Sequence, residues 1–207
     1  MTSSSLLPRD FYLHPPDVVA RKLLGKRLVR RYQAEGGVAG RVERLSGRIV
    51  ETEAYFGEDD PAAHVFAGKT PRNEVLFGPP GFAYVYFIYG MHFCLNLSCE
   101  PEGRAGCVLL RALEPLEGLR TMARLRGLAV KPDARLLASG PGRLCQALGI
   151  TREAHNGIDA TDPKAGLQVE DDGFAPEGIA ILRRVGITKA AERPLRFAIA
   201  GNAFVSR

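Results

Sequence analysis

The sequence predicts an α+β fold: one mixed domain with a curved, largely antiparallel β-sheet, flanking helices and a protruding β-hairpin. Three observations carry the prediction. Aromatic and β-branched runs follow one another across short turns, which suits antiparallel pairing. Helical patterns are interspersed among them without the regular alternation of a βαβ protein. No linker, internal repeat or low-complexity segment divides the 207 residues, so 1–207 reads as a single domain.

The elements follow in order. Pro15-Pro16 and Asp17 precede an apolar stretch that ends at Gly25, a capped short helix. Residues 28–32 and 47–55 read as strands, the second bearing Val, Ile and Thr. Residues 82–88 and 93–98 are two further runs that meet across Tyr89-Gly90-Met91-His92, where glycine supplies the φ that a tight turn needs. Residues 106–113 form another strand, and Pro115 opens a helix running towards Gly127. Residues 141–148 form a helix stopped by Gly149, and 179–185 and 195–200 are closing strands. The acidic stretch 153–177, rich in Gly, Pro and Asp, reads as a surface excursion.

A content of 45% hydrophobic and 25% charged residues fits a soluble globular protein. No apolar run resembles a secretory leader or reaches the length of a membrane span, so a cytoplasmic protein is expected. The four cysteines form no C-x-x-C pair and read as reduced, buried thiols. His92 and Cys94 could be half of a metal site, but no second close pair completes it. The net charge of +5 is unevenly distributed. Residues 1–50 carry ten Lys/Arg against four Asp/Glu, 104–152 nine against three, and 178–207 six against one. Residues 51–103 and 153–177 are acidic in turn. Clustered bases suit a surface that tracks phosphates, and equally a solvated basic face.

Two constellations carry chemistry. The period-two rule puts Glu51, Glu53 and Tyr55 on one strand face, either a polar edge or the wall of a cleft. A glutamate in such a wall is a candidate general base for water. Tyr84 and Tyr86 share a face of the hairpin, with Tyr89 at its turn, offering flat stacking surfaces and a wedge. Strand packing accounts for Tyr84 but not for an aromatic beside Gly90. Arg111 follows an apolar run and is expected at the polar end of a buried strand, paired with a carboxylate or holding a phosphate or a water. Asn96, a poor strand former, either faces solvent or makes a specific amide contact. His64, just after the carboxylate strand, reads as a capping, surface or catalytic histidine. Nucleotide-binding glycine loops, the hydrolase nucleophile elbow and the zinc-deaminase signature are missing from the sequence.

The runs GRIVETEAY (47–55), TPRN (70–73), YVYFIYGM (84–91) and CVLLRALEPLEG (107–118) closely resemble the alkyladenine (3-methyladenine) DNA glycosylase family. The resemblance continues through SGP (139–141), LCQAL (144–148) and PLRF (194–197), so it covers nearly the whole chain. It implies that Glu53 is the general base for water and that Arg111 helps to hold that water. Tyr55, His64 and Tyr86 would wall the base pocket, Asn96 would crowd the 2-amino group of guanine, and Tyr89 would wedge into the duplex. It further implies hydrolysis of damaged purines, flipped from double-stranded DNA, by a protein expected to act as a monomer without metal or organic cofactor. No lysine matches a catalytic position, which points to base release without strand cleavage. Glu51 is a rival for Glu53 that spacing does not exclude. A protein that binds damaged DNA without cleaving it is the alternative from another class. One departure is His92, which stands where an aromatic is expected.

Overall fold

Pro15 and Pro16 start helix α1 (Pro16–Leu23), since a first-turn proline gives up no intrahelical hydrogen bond and Asp17 complements the helix N-terminus. The computed structural model describes residues 4–33, 42–88, 90–129 and 133–206; Tyr89 lies outside them. Among the described residues nine strands form one antiparallel sheet. They are β1 (Ser5–Leu6), β2 (Arg27–Gln33), β3 (Val42–Tyr55), β4 (Ala83–Ile88), β5 (His92–Cys99), β6 (Gly106–Glu117), β7 (Leu167–Asp171), β8 (Ile179–Leu182) and β9 (Arg196–Ile199). The order is β1-β7-β2-β3-β6-β5-β4, with β9 joining β3 and β8 joining β9. The sheet stays open, and the fold class is α+β as expected.

β3 is the spine. Its first half pairs with β2, residues 51–53 of its second half pair with β9 on the same edge, and β6 runs along the other edge from Ser46 to Tyr55. One face carries the main core. There α1 buries Val19, Ala20 and Leu23, α2 (Leu119–Leu125) buries Met122 and Ala123, α3 (Arg135–Ala138) buries Leu137 and Ala138, and α4 (Pro141–Ala147) buries Leu144, Cys145 and Ala147. These pack with Leu28, Ile49, Leu97 and Leu110 of the sheet, each such side chain contributing about 1.5–3 kcal/mol of hydrophobic burial. Thr52 also faces this side, donating its hydroxyl to the Ala20 carbonyl at 3.0 Å. Its neighbours Glu51 and Glu53 therefore point the other way.

Three expectations need correction. The helix expected to open at Pro115 begins only at Leu119, because β6 continues to Glu117 and Gly118 breaks the chain at φ 77°. Pro115 is tolerated in the strand because it pairs with Gly47 next to a register shift, where a missing N–H costs little. Arg111 consequently lies mid-strand, not at the strand's end. The stretch 153–177 is no simple excursion: it contains α5 (Arg152–His155) and β7, which sits between β1 and β2 with Leu167 and Val169 fully buried. Its acids are counter-charges. Lys26 pairs with Asp171 at 2.7 Å, Arg48 with Asp172 at 2.9 Å and Arg44 with Glu170 at 2.8 Å. The basic block of 1–50 and the acidic block after 153 thus neutralise one another across the sheet. The strand expected over 179–185 also stops early, at Leu182, and the chain then turns across the second face.

All four cysteines are buried and free of disulfides, as expected for reduced thiols.

Candidate active site

Strand register assembles the second face. Tyr84 pairs with Asn96, Asn96 with Leu109, Leu109 with Glu53, and Glu53 with Arg196. Residues directly opposite in antiparallel strands share a face. One transverse row therefore carries Tyr84, Asn96, Leu109, Glu53 and Arg196. The β3–β6 ladder is irregular here: Ile49 opposes Leu113, Glu51 opposes Ala112 and Thr52 opposes Leu110, leaving Val50 and Arg111 without partners in the register. Such bulges bend strands and re-aim side chains, and Arg111 is aimed at the two glutamates.

The carboxylates and Arg111 form one buried network. Arg111 Nε donates to Glu51 Oε1 at 3.0 Å, and its Nη1 lies 3.2 Å from Glu53 Oε1. Glu51 also accepts from Arg196 Nη1 at 3.0 Å and from the Ser206 backbone N–H at 2.7 Å. Glu53 accepts the Tyr55 hydroxyl on Oε2 at 2.8 Å and the Val185 backbone N–H on Oε1 at 2.9 Å. The two carboxyls differ electrostatically. Burial pushes Glu51 up, but the Ser206 contacts and the charges of Arg111 and Arg196 outweigh it and hold the group below the ordinary glutamate range. At Glu53 burial wins against Arg111, the Val185 N–H and the Tyr55 hydroxyl, so its proton affinity is raised.

Beside this network a cleft of about 310 Å³ is lined by Tyr55, His64, Tyr84, Tyr86, Asn96 and Arg111, with Ala62–Val65 and Val185–Ile187 as walls. That is the lower end of the range of small-molecule sites, roughly 300–1,000 Å³. Glu53 is fully buried just behind the lining residues Tyr55, Arg111 and Val185. His64 is an exposed residue, as a surface histidine would be, but its ring is engaged by two tyrosines of the cleft. Its Nδ1 lies 3.0 Å from the Tyr84 hydroxyl, and its ring meets Tyr86 edge-on at 4.4 Å. Burial and the nearby positive charge of Arg72 lower its proton affinity, so the imidazole is neutral near pH 7. Burial likewise raises Tyr84 to about 12, keeping the phenol protonated. Asn96 makes the specific amide contact: its Nδ2 donates to the Tyr84 carbonyl at 3.1 Å, and its Oδ1 faces the Cys107 thiol at 3.8 Å. His92 lies on the α4 side, packed so closely on Gly142 that a Cβ there would meet its ring. No group of three or more His, Cys, Asp or Glu suited to a metal exists among the described residues.

The site thus unites Tyr55, His64, Tyr86, Asn96 and Arg111 around the cleft, with Glu53 behind its wall. Glu51 sits deeper, tied to the C-terminal segment. Several contributors had no local signal. The Val185 amide, Ser206 and the buried pair Arg184–Asp60 are distant in sequence from what they hold, and Arg196 was marked only as part of the PLRF run. Asn73 is a partial exception, since it belongs to the TPRN run. It binds the His64 and Gly68 carbonyls through Nδ2, both at 3.1 Å, and receives the Thr70 N–H, holding the loop that carries His64.

A buried acid–base network at the wall of an aromatic cleft can activate a water beside a bound ring. Comparison with known proteins makes it specific. The profile of the family described as Methylpurine-DNA glycosylase (MPG) matches residues 10–203. A protein of Koribacter versatilis is 56% identical over 200 residues, covering 97% of this chain and 92% of its own, and is named "Putative 3-methyladenine DNA glycosylase". Proteins of the same name from Nitrosospira multiformis (48% identical; 96% of this chain, 92% of its own) and Carboxydothermus hydrogenoformans (45%; 98% and 99%) also match. The chain belongs to the methylpurine-DNA glycosylase family: it is a hydrolase of N-glycosyl bonds that acts on DNA in base excision repair.

Proposed function

We propose that the protein flips damaged purines from duplex DNA into the cleft and hydrolyses their N-glycosidic bond, leaving an intact abasic strand. The observation that supports this best is Glu53. Its carboxyl is buried, raised in proton affinity and fixed by Arg111, Tyr55 and the Val185 N–H at the wall of an aromatic cleft.

In this reading Glu53 accepts a proton from a water that Arg111 helps to orient, and its charge stabilises the cationic sugar as the base departs. Tyr55, Tyr86 and the neutral His64 give the flipped base flat and edge surfaces, which suit a positively charged alkylated purine through cation–π attraction. Asn96, held by the Tyr84 carbonyl, offers little room to a purine 2-amino group. Tyr89 fills the space the base leaves; its neighbours Gly90 and Met91 are exposed at the hairpin turn. No lysine lines the cleft among the described residues, and a Schiff-base lyase requires one. The duplex lies against the cleft mouth, where Arg72 and Arg152 are exposed, near enough to Tyr84 to act on its proton affinity, and without a carboxylate partner among the described residues.

The test is single-turnover excision from duplexes carrying hypoxanthine, 3-methyladenine, 7-methylguanine or ethenoadenine, in buffer with EDTA. Release of free base with an unbroken abasic strand is expected. Glu53→Gln should lose about 10²–10⁴-fold in rate while keeping its lesion affinity. The loss should be largest for hypoxanthine, a neutral leaving group. Tight binding of these duplexes without base release by the native protein would establish a binding protein instead, and borohydride trapping would establish a lyase.

A further inference from the structure

Arg184 has no assigned role, yet its side chain is wholly buried and both its terminal nitrogens are engaged. Its guanidinium grips Asp60, itself fully buried, through both terminal nitrogens, the second at 2.9 Å. The same nitrogens donate to the Ala54 carbonyl at 3.1 Å and the Ala190 carbonyl at 3.2 Å, and its carbon lies 4.7 Å from the centre of the Tyr55 ring. Asp60 in turn accepts the Phe56 and Ala62 N–H groups at 3.2 and 3.1 Å. One ion pair therefore ties three pieces together: the end of β3 with Tyr55, the turn 56–62 that leads to His64, and the segment 184–190 that follows β8.

A purely stabilising role explains this poorly. Buried ion pairs are often no more stabilising than apolar packing, and Arg184 keeps its Nε buried without a partner. What the pair supplies is position. The residue after Arg184 is Val185, exposed at the cleft, whose N–H donates to Glu53 at 2.9 Å. We infer that Arg184, locked by Asp60, is a positioning residue for the reaction: it holds the Val185 amide on Glu53 and fixes the Tyr55 ring as a wall of the cleft. The assignment rests on the glycosylase reading of Glu53, but its geometric core does not depend on catalysis.

The groups that face Glu53 are Arg111 from β6, Glu51 and Tyr55 from β3, Cys94 from β5, and Arg184 beyond Tyr55; Arg196 of β9 reaches the network through Glu51. Of the contacts that lower the proton affinity of Glu53, only the Val185 N–H is carried by the segment Arg184 anchors. Losing it should raise the carboxyl's titration midpoint.

The experiment compares native protein, Arg184→Met, Arg184→Lys and Asp60→Asn. Three quantities are read: the ¹³C-carboxyl titration of Glu53, hydrogen exchange of the Val185 amide, and the acid limb of single-turnover hypoxanthine excision. In Arg184→Met the Glu53 midpoint should move up, Val185 exchange should quicken at least tenfold, and the acid limb should shift upward by the same amount as the titration. Arg184→Lys should recover part of each, and it and Asp60→Asn carry the test if Arg184→Met does not fold. Folded variants with a lower Tm but native Glu53 titration and native Val185 exchange overturn the proposal. If the native protein releases no base, the glycosylase reading fails, while titration and exchange still decide the role of Arg184.

Discussion

Glu51 and Glu53 stand two residues apart on the same face, and their partners separate them. Glu51 answers Arg111, Arg196 and the Ser206 amide, so Glu51→Gln leaves the buried Arg111 and the half-buried Arg196 short of charge. Breaking a buried pair in this way costs about 3–5 kcal/mol, and urea melts at pH 7 should read that loss. The pH dependence follows from the direction of each shift. Glu51 is depressed when folded, so its contribution is full above the ordinary glutamate value of 4.5 and disappears as pH falls through the lower folded value. The stability gap between native protein and Glu51→Gln should therefore close on the acid side. Glu53 is raised, so the fold favours its protonated form. That contribution is present below 4.5 and lost as pH rises through the higher folded value. Excision needs the deprotonated base, so its acid limb should lie above 4.5. An excision rate already at plateau at pH 4.5 would remove Glu53 from the general-base role.

At the scale of elements, β3 does the organising. Its fourteen residues change partner midway, and the bulges it shares with β6 fall beside Glu51 and Arg111. Immediately after Tyr55 the chain must turn hard against β6. Gly57, at φ 37°, allows this, since any Cβ there would collide with the Ala105 carbonyl oxygen. The β4–β5 hairpin presents two surfaces. Tyr84 and Tyr86 face the cleft, and the Phe87 and Phe93 rings meet at a tilt, with centres 5.1 Å apart. The turn between the strands is the proposed wedge. Tyr89→Ala should weaken lesion-duplex binding by about 1–3 kcal/mol, the range for one stacked base, as read by fluorescence anisotropy, and should slow excision with it. Equal affinity and rate in the variant would make Tyr89 ordinary surface.

At the scale of the molecule, charge that is segregated along the chain is largely paired in space. Lys26, Arg44 and Arg48 answer acids of β7 and the turn after it, so the basic block of residues 1–50 is partly neutralised and is not the most phosphate-seeking surface. The bases left over, Arg72 and Arg152 among them, lie close to the cleft: both are near enough to Tyr84 to act on its proton affinity. Each neutralised phosphate contact contributes about 0.9 to the slope of log K against log salt. Arg72→Ala and Arg152→Ala should each lower that slope by about that amount. Arg48→Ala should leave it unchanged and lower Tm instead, because it breaks the pair with Asp172 and the stacking on Phe174. The opposite pattern would put the DNA on the far side of the sheet.

The fold class and most strands were legible because burial imposes a local period: alternation marked β3, β4 and β5, and Gly or Pro marked their ends. The helix misread at Pro115 and the strand missed over 167–171 failed for one reason. In both, the pattern depends on a partner strand, Gly47 for Pro115 and the basic β2–β3 pair for the acidic β7. The site divides in the same way. Glu53, Tyr55, Tyr84 and Tyr86 were legible as face-sharing residues; Arg111, Asn96 and His64 stood out by residue type and neighbours, and the family resemblance supplied their roles. Which glutamate is raised in proton affinity and which is lowered, that the Val185 amide reaches Glu53, and that Arg184 and Asp60 clamp the loops around Tyr55 were decided only by tertiary structure. Proton affinity depends on burial and on charges a few ångströms away in space, and residues 53, 111, 185 and 206 become neighbours only when the sheet closes its register.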